Sequence, residues 1–219
     1  MKAQLFMLAT GGCLLAAQTS KAITYNLDAG NFSCAISPYG SVTVSLGTDG
    51  AQNGAWITFQ AANNSSFQYL FGDGGSAGVN VNGSFSFVAS SLSWSGQPQS
   101  GAATPSYSAS SGNEDGLGNF NFALDNMDGF SHSVEKISFF LSGTWASDGS
   151  VLAYNNKGFL TEAHIFAADA TTETNTGIGG FAGTDSQGDP QVPDGGSTVV
   201  LLGSVLAGIG ILRRRAGKN

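Results

Sequence analysis

Positive charge is what this 219-residue sequence has least of: eight Lys and Arg stand against fifteen Asp and Glu, for a formal charge of −7. Six of the bases (Lys2, Lys21, Arg213, Arg214, Arg215 and Lys218) lie toward the two ends. With Asp194 counted among the ends as well, the body keeps only Lys136 and Lys157 against fourteen acids, about −12. Phosphate backbones are held by clustered Lys and Arg, so nucleic acid is excluded as a partner. Histidine is nearly as scarce, with His132 and His164 alone. Zinc or copper needs several His, Cys or carboxylate ligands at workable spacing, and none appears, so no metal or other cofactor is expected. Of the two cysteines, Cys13 falls in an N-terminal apolar run that reads as a removable leader. Cys34 is then alone, no internal disulfide can form, and the bland reading is a small buried apolar residue.

Catalytic patterns are also missing. Ser131-His132-Ser133 beside Asp128 contains triad residue types, but that coincidence is cheap in a serine-rich chain and no nucleophile elbow accompanies it. Glu114 with Asp115, and Asp125 with Asp128, are the available carboxylate pairs for glycoside hydrolysis. All four sit in turn-rich segments where Asp is expected for backbone reasons. Asp73, Glu114, Asp115, Asp125 and Asp128 would suit calcium, which takes oxygen ligands from loops, although neither an EF-hand nor a nonapeptide calcium repeat is present. No catalytic residue and no metal ligand is therefore assigned.

What is present is alternation. Residues 41–46 (SVTVSL), 56–59 (WITF), 120–124 (FNFAL) and 134–141 (VEKISFFL) place apolar side chains at every second position, the period of a half-buried strand. Asn82-Gly83, between VNV and SFSFV, predicts a hairpin with a type I′ turn. Residues 97–112, with Pro98 and Pro105, read as a long loop, 148–152 as a short helical turn, and 159–167 as a strand. About ten short strands without a long amphipathic helix predict an all-β fold: a single antiparallel, jelly-roll-like β-sandwich over 23–171. Residues 172–191, rich in Thr, Gly, Asp and Asn, read as a flexible linker.

The ends carry the strongest signals. Residues 1–22 read as a Sec signal peptide, with Lys2, an apolar core and small residues at 20 and 22, which puts the cut between Ala22 and Ile23. A lipoprotein reading through Cys13 lacks a leucine-led lipobox. At the other end stands Val192-Pro193-Asp194-Gly195-Gly196, then an uncharged segment at 198–212, then Arg213-Arg214-Arg215. The large aliphatics of 198–212 favour insertion by about 3 to 5 kcal/mol, whereas drawing three arginines across would cost on the order of 8 to 10 kcal/mol. The segment is short against the roughly 20 residues that normally span, so it reads as a transmembrane helix completed by snorkelling and local thinning.

This order of VP-acid motif, apolar helix and arginine cluster resembles the bacterial PEP-CTERM sorting signal. Val192, Pro193, Asp194 and Gly196 match its VPDSG variant, and Gly195 stands where that variant has serine. The resemblance implies recognition by an exosortase, a membrane-embedded cysteine transpeptidase that cuts near the motif, with Arg213 to Arg215 as the cytoplasmic stop. Partners are then the Sec translocon, the exosortase and the membrane. The location is exported, transiently anchored in the inner membrane, then at the cell surface or outside. The stretch 119–166 is similar to one that recurs in small secreted proteins bearing this tail. Function reads as an exported surface or matrix protein without catalysis. A rival reading is a carbohydrate-binding module that stacks extracellular polysaccharide on Trp56, Trp94 or Trp145. An extracellular hydrolase comes third.

Overall fold

The computed structural model describes residues 21–31, 36–98 and 102–185. Among them the chain forms twelve strands: β1 (Ile23–Leu27), β2 (Ala29–Gly30), β3 (Gly40–Asp49), β4 (Gln52–Ala61), β5 (Phe67–Phe71), β6 (Asp73–Val79), β7 (Phe85–Ser95), β8 (Ser108–Glu114), β9 (Gly118–Asn126), β10 (Lys136–Gly143), β11 (Phe159–Asp169) and β12 (Asn175–Asp185). Two single 3-10 turns, Phe130–His132 and Asp148–Ser150, are the helical content. The all-β expectation holds, and so does the helical turn near 148.

Every strand pairing is antiparallel. One sheet runs β1-β3-β4-β10-β7 and the other β2-β12-β11-β6-β9-β8. β5 lies on the same edge of β11 as β6, pairing Phe71 with Ile165 while β6 pairs Val79 with Thr161. Alternation sets which face turns inward, because a one-residue slip would send every side chain to the other side. Val42, Val44, Ile57, Phe59, Ile137, Phe139 and Leu141 of the first sheet join Val79, Phe122, Leu124, Ala163, Ile165 and Ala167 of the second in one core. Ring contacts cross between the sheets, Phe122 to Phe139 at 5.2 Å and Phe59 to Phe71 at 5.9 Å. Such pairs contribute roughly 0.5–1.5 kcal/mol beyond the area they bury.

Three expectations are corrected. The Asn82-Gly83 hairpin does not form: β6 pairs with β9 and β11, β7 pairs with β10, and Asn82-Gly83 carries the chain from one sheet to the other. A type I′ turn needs positive φ at both residues, and of the two only Gly83 has it, at 78°. Asn82 is instead tied down locally, its N–H to the Val151 carbonyl and its side-chain amide to that of Ser150. Second, the loop at 97–112 gives way to strand at Ser108, where β8 pairs with β9.

The third correction concerns the linker at 172–191, since 175–185 are β12. That strand pairs with β11 from Phe159↔Asp185 to Ala168↔Asn175. Its composition resembles a tether because its glycines serve packing. An added Cβ on Gly183 would fall 2.6 Å from the Thr161 carbonyl oxygen and 2.9 Å from the Phe159 ring. The domain thus continues at least to Asp185. Among the described residues no helix is long and apolar enough to cross a membrane, and the helix expected at 198–212 lies outside them.

Candidate functional site

Of the expected site residues, Val192, Pro193, Asp194, Gly195, Gly196, Arg213, Arg214 and Arg215 lie outside the described residues, as does Cys34. Ala22 and Ile23, flanking the expected cut, lie within them. β1 begins at Ile23, which faces Val44 across the sheet.

The tryptophans divide. Trp94 pairs with Ile137 and packs against the core, as Trp145 does in part. Trp56 faces outward and tilts onto Phe140 at 5.2 Å. Trp145 follows β10 and covers Gly143, where an added Cβ would come within 2.4 Å of the indole; its Nε1–H donates to the Asn82 carbonyl at 2.6 Å. Beside it opens a groove of about 300 Å³, lined by Gly47, Asn53, Gly54 and Thr144 among others. Gly54 has no room for a side chain either, since its Cβ would fall 2.1 Å from the Leu141 carbonyl oxygen and 2.6 Å from the Phe140 ring. The groove therefore combines a half-buried indole, bare backbone and small polar groups. That set can stack a sugar ring and hydrogen-bond its edge.

The carboxylates do not pair as their loops suggested: Glu114 comes together with Asp125, not with Asp115, and both lie near Glu162. Asp115 and Asp128 are exposed. Asp125 accepts the Gly75 N–H at 2.8 Å, and Glu114 reaches the same glycine, where an added Cβ would meet its Oε2 at 2.9 Å. Between Glu114, Asp125 and the strand lies a group that sequence reasoning passed over. Glu162 of β11 is fully buried, neither carboxylate oxygen has a hydrogen-bond partner, and its Oε1 rests over Gly78. Burial first, then the charges of Glu114 and Asp125, hold its carboxyl well above the usual glutamate range. Among the described residues no three His, Cys, Asp or Glu side chains are placed to hold a metal ion. In the Leu-Thr-Glu-Ala-His run nothing marks position 162 as buried, because a glutamate at an outward strand position is ordinarily exposed.

His132 is held within its own loop. Its Nδ1 stands 3.0 Å from the main-chain carbonyl of Asp128, not its carboxylate, and 3.1 Å from the neighbouring Ser131 hydroxyl. His164 is different. It faces outward on β11, its Nδ1–H donates to the Gly72 carbonyl at 3.0 Å, and its ring meets Phe166 and Phe181 edge-on at 4.9 and 5.0 Å. Burial lowers its pKa, more than the Asp73 charge and the Gly72 bond raise it. A second groove, about 280 Å³, is lined by His164, Asp73, Phe166, Asn175, Gly177 and Gly179 among others. Asp73 and His164 were both visible in the sequence. Their juxtaposition was not, because β5 and β6 must first dock along β11.

Residues 191–216 match the VPDSG-CTERM motif. The chain thus carries a variant of the PEP-CTERM-like exosortase sorting signal. No curated protein and no solved structure matches the chain.

Proposed function

We propose that the sorting signal at 191–216 delivers an all-β body, exported through the Sec translocon, to an exosortase and then to the cell surface or extracellular matrix, where the body acts without catalysis. The single observation that carries this reading is the matched motif. Segment 198–212 anchors the precursor transiently in the inner membrane, with Arg213, Arg214 and Arg215 on the cytoplasmic side. The two sheets form a jelly-roll-like sandwich that stands outside. Only residues 186–190 separate the last strand from the matched stretch. The membrane segment starts at 198, so twelve residues, 186–197, bridge to it and extend at most about 43 Å, which bounds how far the body stands from the membrane until the exosortase cuts. The exposed Asp128 and the His132 held by a main-chain carbonyl support the non-catalytic reading over the hydrolase.

A second reading, binding of extracellular polysaccharide, is supported by the Trp145 groove. Intact-mass analysis of protein from membrane and surface fractions tests the first: the precursor should lose both ends, with cuts after Ala22 and near Val192–Gly196. A chain that remains full-length in the cytosol would sink it. Glycan-array binding that disappears in Trp145→Ala with melting unchanged tests the second.

A further inference from the structure

The geometry points to another ligand site, on the outer face of the seven-stranded sheet, where Asp73, His164 and Asn175 together recognise one neutral polyhydroxylated ring. It is independent of the Trp145 groove, which lies at the other sheet. The hydrogen-bonding complement carries the argument. His164 spends its Nδ1–H on the Gly72 carbonyl, and with its pKa lowered it is neutral, so Nε2 holds a lone pair and accepts. The Asp73 carboxylate is acceptor-only when ionised. Asn175 uses its Oδ1 to accept the Gly177 N–H at 2.8 Å, which leaves the amide NH₂ to donate. The groove thus offers two acceptors and one donor beside the Phe166 ring.

A carboxylate or phosphate ligand has no hydrogens for the two acceptors and meets the Asp73 charge. An ammonium has no lone pair for Asn175. A sugar hydroxyl both donates and accepts, and a ring bearing several of them satisfies all three groups, with its apolar C–H face against Phe166. Size bears on the choice: about 280 Å³ falls just below the roughly 300 to 1,000 Å³ of ligand pockets, which suits one ring better than a chain. The backbone is shaped for the purpose as well. Asp73 holds φ at 66°, a left-handed conformation rare outside glycine, at a break in the β6–β9 register. Such outliers persist where the surroundings enforce them and cluster at ligand sites.

Full-length protein, purified in a detergent without a sugar headgroup, is titrated with glucose, galactose, mannose, rhamnose and myo-inositol, and with glucuronate as the anionic control. Binding is read by saturation-transfer NMR. At least one neutral ring should bind and glucuronate should not. Asp73→Asn, which tolerates the same φ, and Asn175→Asp, which keeps the Gly177 bond but removes the donor, should each weaken binding at least about tenfold. Trp145→Ala should leave it unchanged. The proposal is overturned if no neutral ring binds, if glucuronate binds equally, or if both variants melt normally and bind like the parent. It is also overturned if Trp145→Ala abolishes binding, which would assign the ligand to the other groove. Should Asp73→Asn melt early, the exposed Asn175→Asp decides alone.

Discussion

The hydroxyl of Thr161 in β11 donates to that of Thr184 in β12 across 3.1 Å, with both residues fully buried. Thr184 passes the bond on, its own hydroxyl donating to the Asn26 carbonyl of β1 at 2.5 Å. Residue 184 thereby links strands of both sheets. Thr184→Val keeps the shape, loses both bonds and strands a buried acceptor, so stability should fall by about 1–3 kcal/mol in urea unfolding. Truncation after residue 171 should prevent folding altogether, because the whole edge of β11 would lose its partner.

Glu162 gives stability a pH dependence of definite sign. Its carboxyl sits above the ordinary 4.5 in the folded chain, so between that value and its folded pKa the native state holds more protons than the unfolded one. Its contribution is fully present below about 4.5 and is lost as pH rises through the folded pKa. His164 works the other way, its lowered pKa removing stability as pH falls below about 6.5. Asp28 and Glu114 share the sign of Glu162. Glu162→Gln isolates the largest of these effects. The variant should melt higher than the parent at pH 8, and the gap should shrink as pH falls toward 5. A constant gap, or none, would mean the carboxyl is not the titrating group.

Close backbone approach in the five-stranded sheet can be tested with Gly54, using Gly112 of the other sheet as the control. Gly54→Ala would drive a methyl group into the Leu141 carbonyl and the Phe140 ring, and overpacking of that kind costs about 1–3 kcal/mol or more. Gly112→Ala in β8 meets nothing within 4 Å and should change stability by less than about 0.5 kcal/mol. Equal melting temperatures for the two variants would contradict the packing described around Phe140.

The strands that alternate strictly were legible because burial on one face writes itself into every second residue: Val42, Val44 and Leu46, or Ile137, Phe139 and Leu141. Choice of partner is not written there. Asn82-Gly83 looks like a hairpin because the local pattern is the same whether the next strand returns beside the last or crosses to the other sheet. β12 was hidden by its glycines, which lower apparent strand propensity while making room for Phe159 and Phe166. Trp145 could be named from the sequence, but its groove depends on Gly143 of β10 and Gly54 of β4 both lining it. Gly72 and His164, joined by two hydrogen bonds, lie 92 residues apart. Among the candidate sites, only the sorting signal, a linear motif, was readable without tertiary structure.

The arginine trio makes the last prediction. If segment 198–212 enters the bilayer, Arg213, Arg214 and Arg215 oppose complete passage by on the order of 8 to 10 kcal/mol, against about 3 to 5 kcal/mol favouring insertion. Replacing all three with alanine removes the larger quantity and leaves the smaller. A periplasm-activated reporter fused after Asn219 should therefore be silent on the parent chain and partly active on the triple variant, in which only the about 3 to 5 kcal/mol holding the segment in the bilayer still opposes passage. Asp194→Ala, by contrast, should leave the reporter silent but accumulate unprocessed precursor, because it alters the recognised motif and not the stop. These two outcomes separate anchoring from recognition. A reporter already active on the parent chain would remove the arginines from the cytoplasmic side, and with them the membrane step that positions the motif for cutting.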